Sequence, residues 1–305
     1  MPAITEMASR PMFAVVLLFV ASVAPPFAVA PADHDIAFWR AVVAARYAPP
    51  AGEDVPALAT ELAEMLASAD PERRDDIAYS TLANWIYQRK IITGAALGSL
   101  TDRLVANLTN GVGERGTDGI FRRSFSALTL AAIAARDNAD PVLDAAAWHR
   151  IEQAALAYFA AEQDLRGYDA NKGWMHSAAH TADLLKFLGR SRHLDTSGQA
   201  RLVTAIETKL TTVPVVFTHG EDERMARALL SIVNRTDFDQ AAFAAWLTKT
   251  KPTVPAKPTV DQLSAIQNWK NALAKLEVLL SNEPSPSEAS VAAQTALRAA
   301  LKQLF

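Results

Sequence analysis

Apolar residues return at helical spacing along nearly the whole chain, and that rhythm predicts its elements. Ile36, Trp39, Val43 and Tyr47 place a helix over 34–47, which Pro49-Pro50-Ala51-Gly52 ends. A second helix is expected over 54–67, and Asp70-Pro71-Glu72 opens a third that carries Ile77, Leu82, Trp85 and Ile86. A fourth runs over 93–108 to the Asn110-Gly111-Val112-Gly113 stop. Thr117-Asp118 caps a fifth, whose core face is Phe121, Phe125, Leu128 and Ala132 and whose polar line is Asp118, Arg122, Ser126 and Thr129. Pro141 opens a sixth through Trp148 and Phe159. A loop over 166–173 leads into a helix read over 171–188, and further helices follow over 196–211, 221–234 and 238–248. Two more, through Trp269 and Leu280 and through Val291 and Leu304, complete the chain.

About a dozen helices with short connections make the fold class all-α. The arrangement expected is irregular antiparallel helix pairs stacked as a HEAT-like α-solenoid, with a closed α/α toroid as the alternative. The division along the chain is a signal segment over 1–32, a helical domain over 33–250, a Pro/Lys linker over 251–260 and a C-terminal helix pair over 261–305. The signal rests on Arg10, an apolar run from Met12 to Ala24 and small residues near Ala30. It predicts export to the periplasm or beyond, with membrane contact only through that segment if it stays uncut.

Composition narrows the classes. A net charge of -3 across 305 residues, with a pI near 6.1, gives no basic surface for nucleic acid. Cysteine is absent, which removes disulfides, thiolate nucleophiles and cysteine metal ligands. Ser124 and Ser126 lack the strand-turn-helix context of a hydrolase nucleophile. The tryptophans at 39, 85, 148, 246 and 269 fall on apolar faces, and His34, His149, His193 and His219 stand isolated, as surface or capping residues do.

The unusual chemistry lies in 171–188, where His176, His180 and Asp183 fall at i, i+4 and i+7 of a helix apolar on its other sides. Three blocks, Asp118 to Ser126, Asp164-Leu165-Arg166-Gly167 and Lys172-Gly173-Trp174-Met175-His176 with Ala179 to Leu185, resemble the bacterial domain-of-unknown-function family 2785 over about residues 75–250. The resemblance implies a helical, HEAT-like domain and assigns no activity. Three uses of the polar line stay open. A divalent metal, with no cofactor assigned, would take His176 and His180 with Asp183, Asp118, Asp164, Asp169 or Asp222. An acid–base site of an α/α hydrolase or lyase would use a histidine held by Asp183, with Arg122, Arg166 or Lys172 on an anionic or sugar-like ligand. A structural network would pair Asp118 with Arg122, Arg166 with Asp183 and His176 with a backbone carbonyl. The leading reading is a binding module for a protein, peptide or small anionic ligand, its surface built from Asp118, Arg122, Asp164, Arg166, Lys172, Trp174 and Asp222 around the histidines.

Overall fold

A computed structural model describes residues 34–250 and 255–303 of the chain. The signal segment over 1–32, the first part of the linker and Leu304 lie outside the described residues.

Twelve helices are present among them, and half begin where a side chain caps the first turn. In α1 (Ile36–Ala44) the Asp35 carboxylate accepts from the Phe38 amide at 2.9 Å, and α2 (Val55–Met65) starts with proline in its first turn. Next comes α3 (72–88), a continuous run in which π-helical turns (Glu72–Tyr79 and Asn84–Gln88) flank one α-helical turn (Ser80–Ala83). It is followed by α4 (Gly94–Asn107), α5 (Gly119–Ala139) and α6 (Ala145–Ala161), the last capped by Asp144. Then come α7 (Ser177–Leu188), α8 (Thr196–Thr212) capped by Asp195, and α9 (Glu221–Val233). The chain continues with α10 (Gln240–Lys249), α11 (Val260–Ser281), whose Thr259 and Gln262 form a reciprocal capping box, and α12 (Glu288–Leu301).

The helices pack in two rows. One runs α3, α5, α7, α9, α11 and the other α2, α4, α6, α8, with α11 also against α8 and α12 against α10 and α11. This order puts α5 and α7 at the centre. Both are buried nearly all round, and along α7 only Lys186 and Phe187 reach partly into solvent. Trp39, Trp85, Trp148 and Trp269 are fully buried, whereas Trp246 is half-buried and bonds Glu207 at 2.7 Å. The C-terminal pair is part of this body: Trp269 of α11 meets the Trp246 ring at 5.1 Å, and the described residues form one compact unit. Burying one such indole removes enough apolar area to contribute on the order of 4 kcal/mol.

One prediction needs correction. The helix read over 171–188 begins only at Ser177, and the stretch before it is a short antiparallel hairpin of β1 (Tyr168–Asp169) and β2 (Gly173–Trp174). The Asp169 carboxylate accepts from the Asn171 and Lys172 amides at 2.8 and 2.9 Å, which closes the turn, and Gly173 takes φ 73°. That local bonding wins over the helical pattern. No helix among the described residues is long and apolar enough to cross a membrane.

Candidate functional site

The hairpin sets up the site. Its carbonyl at Lys172 accepts from Arg74 at 2.8 Å, and that guanidinium is itself fully buried over the Phe121 ring at 4.0 Å. Met175 donates to the Gly167 carbonyl at 2.9 Å, and Ser177 donates to the Asp164 carbonyl. His176 therefore enters α7 as its cap with φ 45° and ψ 36°, a left-handed conformation that costs a non-glycine residue about 1 kcal/mol or more. Trp174 stacks on the His176 ring at 4.3 Å, and the ring Nε2 donates to the His219 carbonyl at 3.0 Å. Gly167 is required here, because a Cβ on it would meet the His219 ring at 2.5 Å.

His180, one turn on, meets the His176 ring edge-on at 5.7 Å and the Phe125 ring at 4.8 Å. It is 6 % exposed, and its Nδ1 is buried with no hydrogen-bond partner. Burial lowers its pKa well below the usual histidine value, and the neighbouring His176 and the Arg224 charge push the same way, while the Ser124 backbone opposes them. Burial also lowers the pKa of His176, against the opposing pull of Glu221 and the His219 carbonyl. Both shifts favour the neutral ring. Trp174, stacked on His176, is 42 % exposed, so an aromatic surface open to solvent covers that ring.

Asp183 does not hold either histidine. Its carboxylate is shared between Lys186 at 2.9 Å and Arg224 of α9, and it ties α7 to α9. The same two charges act on Tyr79 of α3, whose hydroxyl pKa is raised by burial and by Asp183, with Arg224 opposing. Tyr79, Glu221 and Arg224 are members of the face that the linear pattern did not mark. His219, read as isolated, is a fourth. Glu221 reaches within 4.0 Å of His176 Nε2 and accepts from the His219 amide. The one available signal was the Gly220-Glu221-Asp222-Glu223-Arg224 string, which opens α9 with acidic residues beside a glycine at φ 88°.

The remaining predicted residues divide. Asp118 pairs with Lys172 at 2.6 Å, not with Arg122, and Arg122 reaches Glu64 instead. Arg166 pairs with Asp164 at 2.6 Å, not with Asp183. Burial works to raise the Asp164 pKa, but Arg166 and the Gly116 amide hold it below the usual carboxylate range. These pairs fasten the loops around the hairpin. Asp222 faces away and holds Lys275 of α11 at 2.6 Å. Asp118, Asp164, Asp169 and Asp222 are thus each bonded elsewhere, and among the described residues no group of three or more histidine or carboxylate side chains is arranged to hold a metal ion.

Residues 108–280 match the family described as protein of unknown function DUF2785, more than half of the chain. The chain belongs to this family. The DUF2785 match starts later than the resemblance seen in the sequence and ends later, so it takes in the linker and nearly all of α11. It includes both histidines, the hairpin and Arg224, but not Arg74 or Tyr79. No curated protein and no solved structure matches the chain.

Proposed function

We propose that this DUF2785 protein is an exported binding module, its two helix rows stacked as a HEAT-like solenoid, that takes a small anionic ligand or an acidic peptide group on the Trp174, His176 and His180 face. The observation that carries the reading is the His180 ring: a buried nitrogen without a partner costs about 1–3 kcal/mol. Here it sits beside a strained His176, whose ring in turn stacks under an exposed indole. Arg224, its side chain 43 % exposed, supplies the positive charge, and Trp174 supplies an open aromatic surface. The apolar run from Met12 to Ala24 supports export.

A second reading, an acid–base enzyme of the α/α type, draws on a different observation. The His219 carbonyl fixes the proton of neutral His176 on Nε2, which leaves Nδ1 as a lone-pair acceptor.

The test is thermal shift and tryptophan fluorescence of the purified protein titrated with phosphate, sulfate, citrate and a glutamate-rich peptide. At least one is expected to saturate, with the response lost in His180→Ala and in Arg224→Gln. Silence from all four, or a response that both variants retain, sinks the binding reading.

A further inference from the structure

Beside the hairpin a cleft of about 670 Å³ opens between the 162–168 and 212–221 segments; His219 and Glu221 lie on the edge it shares with the histidine face, and neither His176 nor His180 lines it. That volume suits a small organic molecule. One wall is apolar: the 213–217 strip carries Val215 and Val216, 44 % and 39 % exposed, and Leu165 and Tyr168 face it from the other segment. Exposed valines side by side on a concave surface are what an aliphatic ligand would cover.

The charges in the cleft are not balanced alike. Glu162 receives Arg123 at 2.6 Å and the Gln163 and Asp164 amides, and Asp164 receives Arg166 and the Gly116 amide. Glu221 receives the His219 amide at the start of α9. The wall carboxylates are thus already engaged. Two cations have weaker company: Lys209 donates only to the Glu162 carbonyl at 3.1 Å, and Arg115 only to the Gln163 side-chain amide at 2.6 Å. Neither has a carboxylate partner among the described residues. Both are tied to the 162–163 stretch of the same wall, Lys209 through the Glu162 carbonyl and Arg115 through the Gln163 side chain. Lys209 is 6 % exposed, with its ammonium 5.2 Å from the Phe159 ring. Burial lowers its pKa to about 8, against the opposing charge of Glu162. A buried ammonium with one carbonyl partner gains most from an incoming anion.

We propose that this cleft binds a small amphiphilic carboxylate, with its head on Lys209 and Arg115 and its aliphatic body along 213–217. The site goes beyond the proposed histidine face and stands without it.

The experiment is isothermal titration of the full chain with octanoate, and with 1-octanol as the same body lacking the charge. Saturable one-to-one octanoate binding is expected, with 1-octanol weaker by about tenfold or more. Lys209→Met, which keeps the length of the side chain, is expected to weaken octanoate by about tenfold, and Arg115→Gln by about threefold. Val216→Asp, on the exposed wall, is expected to abolish binding. His180→Ala and Arg224→Gln should leave it unchanged, so the two sites fail independently. No saturable octanoate binding, equal binding of 1-octanol, or full binding in Arg115→Gln and Lys209→Met overturns the proposal. Should Lys209→Met lose its circular dichroism signature, the exposed Arg115→Gln and Val216→Asp variants decide.

Discussion

At one end of α7, Arg192 donates to the buried Asp137 carboxylate at 2.8 Å and to the Leu143 carbonyl at 2.8 Å, while the other Asp137 oxygen accepts the Val142 and Leu143 amides. At the opposite end of the helix, His176 makes one ring hydrogen bond, His180 Nδ1 makes none, and the backbone is strained. Both clusters bury polar groups beside the same core. In the first, both Asp137 oxygens are answered and the loop geometry is fixed. In the second, capacity is left unspent beneath a solvent-open tryptophan. Burial of polar residues alone therefore says little about function; incomplete pairing next to an accessible surface says more.

The largest expected effect comes from the answered cluster. Asp137→Ala strands two buried amides and one face of Arg192, and should lower the unfolding free energy by about 2–4 kcal/mol in urea titration. A loss below about 1 kcal/mol would erase the contrast. His180→Phe at the other end removes no ring bond to Nδ1, and is expected to stay within about 1.5 kcal/mol of the parent by the same measurement. A larger loss would turn the ring into a structural element.

The pH dependence sharpens the comparison. With the folded pKa of His180 well below 6.5 and that of His176 also lowered, the unfolded chain binds more protons than the folded one just below pH 6.5. The histidines' contribution is therefore complete above that pH and is lost as pH falls toward the folded values, at about 1.4 kcal/mol for each unit of separation. Urea midpoints between about pH 7 and 5 should fall more shallowly in His180→Phe, since one of the two groups has gone. Parallel curves would refute the assignment. Trp174→Ala, on a half-exposed ring, should change stability by no more than about 1 kcal/mol yet remove the ligand response of the histidine face. The smallest effect expected is on metal content. Elemental analysis of protein purified without chelator should show no stoichiometric metal, and the His176→Ala/His180→Ala variant should match it; zinc, iron or manganese lost in the variant would replace binding with metal chemistry.

The helices were legible because their ends are written locally. Asp35, Asp144, Asp195, Asp239, Thr259 and Ser287 each accept a backbone amide in the first turn, and each falls just before an apolar rhythm. The hairpin was hidden for the opposite reason. Its four paired residues are too few to alternate, and the bonds that make it come from one aspartate and one glycine. The histidines and Trp174 were legible as an odd chemistry in an apolar stretch. Their partners were not, since Arg224, His219 and Tyr79 lie some 40 to 100 residues away and meet them only through helix packing. Asp183 was assigned to the histidines by helical spacing, but a charged partner on the facing helix outcompetes a neutral ring.

The bond from Arg74 to the Lys172 carbonyl sets where the portable unit of this protein begins. A shortened chain cut at residue 108, where the DUF2785 match starts, would keep Trp174, both histidines and Arg224. It would lose the guanidinium that props the hairpin from below and covers the Phe121 and Phe125 rings. Anyone transplanting the histidine face, swapping it between relatives or trimming the chain for study should carry α3 along, because its foundation is laid almost a hundred residues before the face itself.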